Sequence, residues 1–146
     1  MVASIERSKF VYVLNRDDQK LTISSPKEAH KSNVLTFDVV ALDVDYDNPL
    51  FACLEVDYGD TDNEDDPVNT GEALKMLTFY EFDIGQNCVT RKDQMPLHSD
   101  AHKLIPVPLK PSGPGGCLVC ANGCVYYKKI GHPELVVPFP RRHEMP

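Results

Sequence analysis

The chain has 146 residues, 42% of them apolar, which suffices for one ordinary domain and excludes wholesale disorder. Its formal net charge of −7 disfavours charge-driven binding to nucleic acid, which needs a basic surface, and fits contacts with other proteins better. Five cysteines are an odd number that leaves one over from any closed disulfide set; with no apolar leader in MVASIERSK and no run near the ~18–20 apolar residues of a membrane span, the expectation is a soluble intracellular chain with reduced thiols.

Taken in order, Lys9–Leu14 (KFVYVL) reads as a short strand. Asn15–Asp18 is a polar turn, and Lys20–Ser24 (KLTIS) returns as a second strand. Ser25-Pro26-Lys27-Glu28 has the form of a capping box with proline at the first helical position. No periodic apolar run follows, so it predicts one helical turn at most. Val34–Val44 (VLTFDVVALDV) is a long β-branched run, closed by the turn chemistry of Asp47-Asn48-Pro49. Leu50–Val56 (LFACLEV) is a strand apolar on both faces. An acidic stretch follows, with six acids among the ten residues from Asp57 to Asp66; a loop is expected over residues 57–72.

Leu74–Arg91 (LKMLTFYEFDIGQNCVTR) carries the strongest pattern. Leu74, Met76, Thr78, Tyr80 and Phe82 share one face of a strand, and Leu77 and Phe79 make the opposite face apolar as well. This period of 2 predicts a strand whose first half lies between two further sheet layers. Gly85, Gln86 and Asn87 form the turn, since Gly and Asn tolerate positive φ, and Cys88–Arg91 is the returning strand. Asp93–His102 reads as a polar loop. Lys103–Val107 (KLIPV) is a strand at an edge or a terminus, because of Pro106. Lys110–Gly116 (KPSGPGG) breaks the pattern. Cys117–Lys129 (CLVCANGCVYYKK) is a hairpin with Asn122-Gly123 as a type I′ pair. Glu134–Phe139 is one more strand, interrupted by prolines. About ten short strands and no helix predict an all-β sandwich, barrel or propeller. The absence of tryptophan and of GH…WD signatures excludes a standard WD repeat.

Several stretches then carry a family resemblance: TISSPKEAHKSN, NPLFACLEVDY, LTFYEFDIGQN, LIPVP followed by GPGGCLVCANGCVYYK, and VPFPRR. Together these resemble the splicing factor 3b subunit 3 family of spliceosome-associated multi-propeller proteins, over about Arg7 to Arg142. A more distant likeness, in LIPVP…GG-x-LV…YYK, extends to the large subunits of the damaged-DNA-binding and the cleavage-and-polyadenylation complexes. The resemblance implies an all-β fold of antiparallel blades. Residues 1–146 would form a partial β-propeller, two to three blades of the first propeller of a longer, seven-bladed-type relative. A closed propeller needs at least four blades of ~40–50 residues each. The chain is therefore expected to be a fragment, a partial gene product or something that closes with another copy, and to be poorly stable alone because its strand edges are open. The implied function is a non-catalytic scaffold in pre-mRNA splicing in the nucleus. Its partners would be other subunits of the splicing factor 3b complex, with RNA touched indirectly or weakly and no membrane or small-molecule substrate. The alternatives are a sister scaffold in DNA repair and ubiquitin ligation or in mRNA 3′-end processing, and a small metal-binding or Cys-dependent enzyme.

Four features have chemical potential. Cys117, Cys120 and Cys124 (C-x2-C-x3-C) have metal-ligand types, with Cys88, His98, His102 or His132 as a fourth. With Asn122-Gly123 as the loop, however, Cys120 faces away from Cys117 and Cys124. Those two would sit about 13 Å apart at about 3.3 Å per residue, so the thiols are expected to be packed and no metal or other cofactor is expected. Asp60-Thr61-Asp62-Asn63-Glu64 imitates half a calcium loop but has Asp65 where Gly is needed and Gly71 where Glu is needed. His98 and His102 are spaced i, i+4 but are framed by Pro96 and Pro106, which favours a loop over a metal-binding helix. Lys128, Lys129, Arg141, Arg142 and His143 read as surface charge, with a phosphate or acidic-protein contact as the alternative. No catalytic, cofactor-binding or metal residue is assigned, and the family's interface residues form no short motif that transfers.

Overall fold

The computed structural model describes residues 1–5, 8–29, 34–45, 47–57 and 74–140. Near the N-terminus, β1 (Val2–Ile5), β2 (Ser8–Val11) and β5 (Lys27–Ala29) pair antiparallel in the order β1-β2-β5. Between β2 and β5, the strands β3 (Leu14–Arg16) and β4 (Leu21–Ile23) form a separate hairpin. Its tip is an Asx turn, in which Asp17 Oδ1 accepts the amides of Gln19 and Lys20 at 2.9 and 2.8 Å.

The middle of the chain is an antiparallel meander of β6 (Val34–Leu42), β7 (Leu50–Asp57), β8 (Leu74–Asp83) and β9 (Cys88–Pro96). A second four-stranded meander follows: β10 (Lys103–Pro106), β11 (Cys117–Cys120), β12 (Cys124–Lys128) and β13 (Leu135–Pro138). Among the described residues there is no helix, and so none long and apolar enough to cross a membrane.

The central sheet is covered on both faces. On one side Ala52, Leu54, Leu77 and Phe79 pack with Ala101, Leu104, Cys117 and Val119 of the C-terminal sheet and its approach. On the other, Phe51, Cys53, Tyr80 and Phe82 pack with Val11 and Ala29 of the N-terminal sheet. This is why β8 is apolar on both faces: Leu77 to Tyr80 are all essentially without solvent contact. Three antiparallel sheets in chain order, stacked face to face through their side chains, are the arrangement of successive propeller blades. The fold is all-β, as the strand spacing predicts, and a segment of a β-propeller, as the resemblance implies.

Four local expectations fail. The single strand over Lys9–Leu14 is two strands, β2 and β3, in different sheets. Ser25–Glu28 forms no helical turn; residues 27–29 extend as β5, with Lys9 opposite Ala29 and Val11 opposite Lys27, because pairing to a sheet edge outweighs a local cap that has no apolar periodicity behind it. The strand after the Asn87 turn continues past Arg91 to Pro96, following β8 to Met76, so only residues 97–102 remain as loop. Asn122-Gly123 does close the hairpin, but neither residue has positive φ, so the turn is not type I′. Outside partners fix these peptides instead: Asn122 N donates to Asp100 Oδ2 at 3.3 Å, and Gly123 O accepts from Phe139 N at 2.9 Å.

One irregularity aims side chains and another allows a close backbone approach. The β6–β7 register shifts between Thr36 and Asp38, leaving Phe37 outside the ladder and 62% exposed. This bulge flips the alternation. Thr36 therefore faces the N-terminal sheet and Asp38 faces the C-terminal one, where Asp38 Oδ2 accepts Leu104 N at 2.8 Å and meets Lys103 Nζ at 3.2 Å. Gly116, at φ 77°, lies so close to β12 that a Cβ there would stand 2.7 Å from the Lys128 carbonyl oxygen.

Candidate functional site

The β11–β12 register pairs Cys117 with Lys128 and Cys120 with Val125. Cys120 is thus on the opposite sheet face from Cys117 and Cys124, as the spacing predicts. All five thiols are free. Cys117 and Cys53 are buried in the two cores. Burial pushes the Cys117 thiol up to about 12, partly offset by the Lys128 charge, and raises the Cys53 thiol in the same way, with Glu55 adding to the effect. A thiol held protonated is a poor nucleophile and a poor metal ligand. Among the described residues no three His, Cys, Asp or Glu side chains stand together as a metal would require.

The other sequence candidates are scattered. His98 and His102 are both exposed in the 97–102 loop; His98 stacks on Tyr126 while the His102 ring lies 3.1 Å from the Asp100 carbonyl. His132 is exposed on a different turn. The half calcium loop at Asp60–Glu64 and nearly all of the acidic stretch over 57–72 lie outside the described residues, as do Arg141, Arg142 and His143. Of the basic group, Lys128 is buried and Lys129 donates to the Pro114 carbonyl, so these two do not form an open patch.

A buried polar cluster lies where no motif marked it. Lys9 on β2 and Glu55 on β7 are 2% and 1% exposed and form an ion pair at 2.7 Å. Thr78 and Tyr80 on β8 donate their hydroxyls to the same carboxylate at 2.8 and 2.9 Å. Lys9 Nζ also donates to Thr36 on β6 at 3.2 Å, and Gln94 on β9 donates to Thr78 at 3.3 Å. One lysine of the N-terminal sheet is therefore tied to all four strands of the central sheet. Every polar atom of the carboxylate is engaged, which is the condition under which a buried pair is tolerated. Desolvation, then the neighbouring Glu55 charge, raises the Tyr80 hydroxyl well above the usual phenol range. The only local sign in the sequence is that Glu55 interrupts an apolar strand.

The second polar feature opens to solvent. A cleft of about 270 Å³ runs between the end of β9 and the C-terminal sheet, lined by Pro96, Leu97, His98, Tyr126, Lys128 and Glu134. His98 and Tyr126 stack with centroids 5.6 Å apart and planes 16° from parallel. The Lys128 ammonium sits 6.0 Å from the Tyr126 ring centre and pairs with Glu134. Burial lowers the Lys128 pKa. The neighbouring Cys124 thiol, and after it burial, raise the Tyr126 hydroxyl to about 12.

Among the described residues, the first of these features is a buried polar lock and the second a solvent-open cleft, and neither brings together a nucleophile, a base and oxyanion donors. Comparison with known proteins agrees with the resemblance read from the sequence. The family described as the RSE1/DDB1/CPSF1 first beta-propeller matches residues 1–146. Spliceosome-associated protein 130 A of Arabidopsis thaliana is 45% identical over 100% of this chain. Splicing factor 3B subunit 3 of Danio rerio is 48% identical over 97% of it, and pre-mRNA-splicing factor rse1 of Emericella nidulans 46% over 97%. In each case the match spans 12% of the relative's own length.

Proposed function

The chain belongs to the RSE1/DDB1/CPSF1 first beta-propeller family, and from that premise we propose that it is a non-catalytic scaffold segment of the splicing factor 3b complex, acting in the nucleus in pre-mRNA splicing. On this reading residues 1–146 form one partial-propeller unit, with the acidic stretch over 57–72 as a loop. The carrying observation is the 45–48% identity, across essentially the whole chain, to proteins named for splicing or the spliceosome. The physical features support the role. Rigid stacked sheets hold loops and faces in fixed positions for protein partners, and a charge of −7 leaves RNA contact to other subunits.

The test is affinity purification of the tagged full chain from nuclear extract, followed by identification of the co-purifying proteins. Enrichment of splicing factor 3b subunits is the expected result. Enrichment of ubiquitin-ligase or 3′-processing subunits instead would transfer the chain to a sister scaffold. Replacing Cys117, Cys120 and Cys124 together by Ser should leave partner recovery intact, provided the variant stays folded; loss of an activity on that change would point to a Cys-dependent enzyme.

A further inference from the structure

We infer that the cleft between β9 and the C-terminal sheet is a docking site for an arginine side chain on a segment of a protein partner. The inference rests on the protein-contact reading above and assigns it a place and a chemistry. The platform is the stacked pair of His98 and Tyr126, of which His98 is exposed. Guanidinium is planar, weakly hydrated and stacks on such rings. Glu134 supplies the acceptor. Its side chain is 41% exposed, and Lys128 engages Oε2; among the described residues Oε1 has no hydrogen-bond donor, so it can take an incoming N–H. A ring face and a carboxylate lining one cleft are two contacts that a guanidinium can satisfy at once.

Lys128 favours an acidic occupant less than it first suggests. Its ammonium is nine-tenths buried and already paired with Glu134, so the pair offers little net charge. Among the described residues Glu134 is its one hydrogen-bond partner. Asp100 acts on the same ring, since its charge contributes to raising the Tyr126 hydroxyl. With Glu134 and Asp100 against Lys128, on a chain of net charge −7, the field favours a cation. A stacked nucleobase would fit the ring platform, but its phosphates would meet that field unfavourably.

The test is a titration of the full chain, followed by the ring resonances of His98 and Tyr126, with a blocked Gly-Arg-Gly peptide as probe. Matching peptides carry citrulline, lysine or glutamate at the centre, and a short oligouridylate serves as the nucleic-acid arm. The arginine peptide is expected to shift both rings saturably and to bind at least fivefold more tightly than the citrulline peptide, its neutral isostere. Glu134→Gln and His98→Ala should each weaken it several-fold. Both positions are exposed, and an unchanged far-UV spectrum will show that the fold is kept. Equal binding of citrulline, preference for glutamate or oligouridylate, no saturable shift, or full binding by both variants would each overturn the inference. The partner-recovery experiment is read separately: splicing partners retained by Glu134→Gln alongside a failed peptide titration would leave the scaffold reading standing and remove the cleft from it.

Discussion

Glu55 is the point at which the stack of sheets is most exposed to a single change. Glu55→Ala removes the carboxylate from a site that is 1% exposed and leaves the Lys9 ammonium, 2% exposed, with the Thr36 hydroxyl 3.2 Å away as its one hydrogen-bond partner among the described residues. It also strips the acceptor from the Thr78 and Tyr80 hydroxyls. Removing one partner of a buried ion pair costs about 3–5 kcal/mol. The two hydroxyls overlap with that figure rather than adding to it in full, since all these groups share one carboxylate. Against a total of about 5–15 kcal/mol for a domain, such a loss is about a fifth or more. Lys9→Met keeps the apolar stem and should cost less, because Glu55 retains two hydroxyl donors. The double variant should then be more stable than the sum of the two losses implies, by at least ~1 kcal/mol. Equilibrium urea unfolding of the full chain and the three variants, with equal m-values as the check on two-state behaviour, measures all four corners. A Glu55→Ala cost below ~1 kcal/mol, or a cycle additive within ~0.5 kcal/mol, would refute the claim that this cluster locks the N-terminal sheet to the central one.

The remaining predictions concern the core and the turns. The Cys117 thiol titrates near 9 when unfolded and about 12 when folded; the raised value means that its contribution is complete below pH 9 and lost as pH rises towards 12. Tyr80 and Cys53 shift in the same direction, so the urea midpoint should fall steeply above pH 9, and a flat midpoint through that window would contradict the burial described. Under native conditions a thiol reagent should modify Cys88, Cys120 and Cys124, which are partly exposed, well before Cys53 and Cys117; mass spectrometry of partly labelled chain would show the order, and early loss of Cys117 would be the wrong outcome. Gly116→Ala places a Cβ 2.7 Å from the Lys128 carbonyl oxygen in a left-handed backbone, and about 1–3 kcal/mol of destabilisation is expected. The same change at Gly123, which has open space and no positive φ, should cost about 1 kcal/mol or less.

The parts of the fold that could be read in advance are those whose causes are local. The alternation in Leu74–Asp83 and the doubly apolar LFACLEV required two covering layers, and both are present. The register of Cys117–Lys128 followed from the two-residue loop even though the expected turn type did not form, because loop length sets pairing while φ at Asn122 and Gly123 answers to Asp100 and Phe139. What could not be read depends on distant partners. Lys27–Ala29 extends only because β2 offers it an edge. Cys88–Arg91 continues to Pro96 only because β8 runs on to Met76.

The same distinction separates the two polar sites from the motifs that drew attention first. C-x2-C-x3-C is conspicuous on paper, yet the hairpin it lies on puts Cys120 on the face opposite Cys117 and Cys124, so the spacing gathers no common ligand site. Lys9 in SKFV looks like any surface lysine, and Glu55 like a polar break in a strand. Their significance comes from the bulge at Phe37, which keeps Thr36 on the N-terminal side and sends Asp38 to the C-terminal side. One extra residue thus lets β6 bind polar partners in both neighbouring sheets: Lys9 through Thr36, and Leu104 with Lys103 through Asp38. Sheet stacking by apolar side chains alone would tolerate sliding of one blade on another. Directional bonds from both faces of one strand fix the relative positions of all three, and a surface such as the His98–Glu134 cleft, built from residues on both the central and the C-terminal sheets, keeps its shape only if they are fixed.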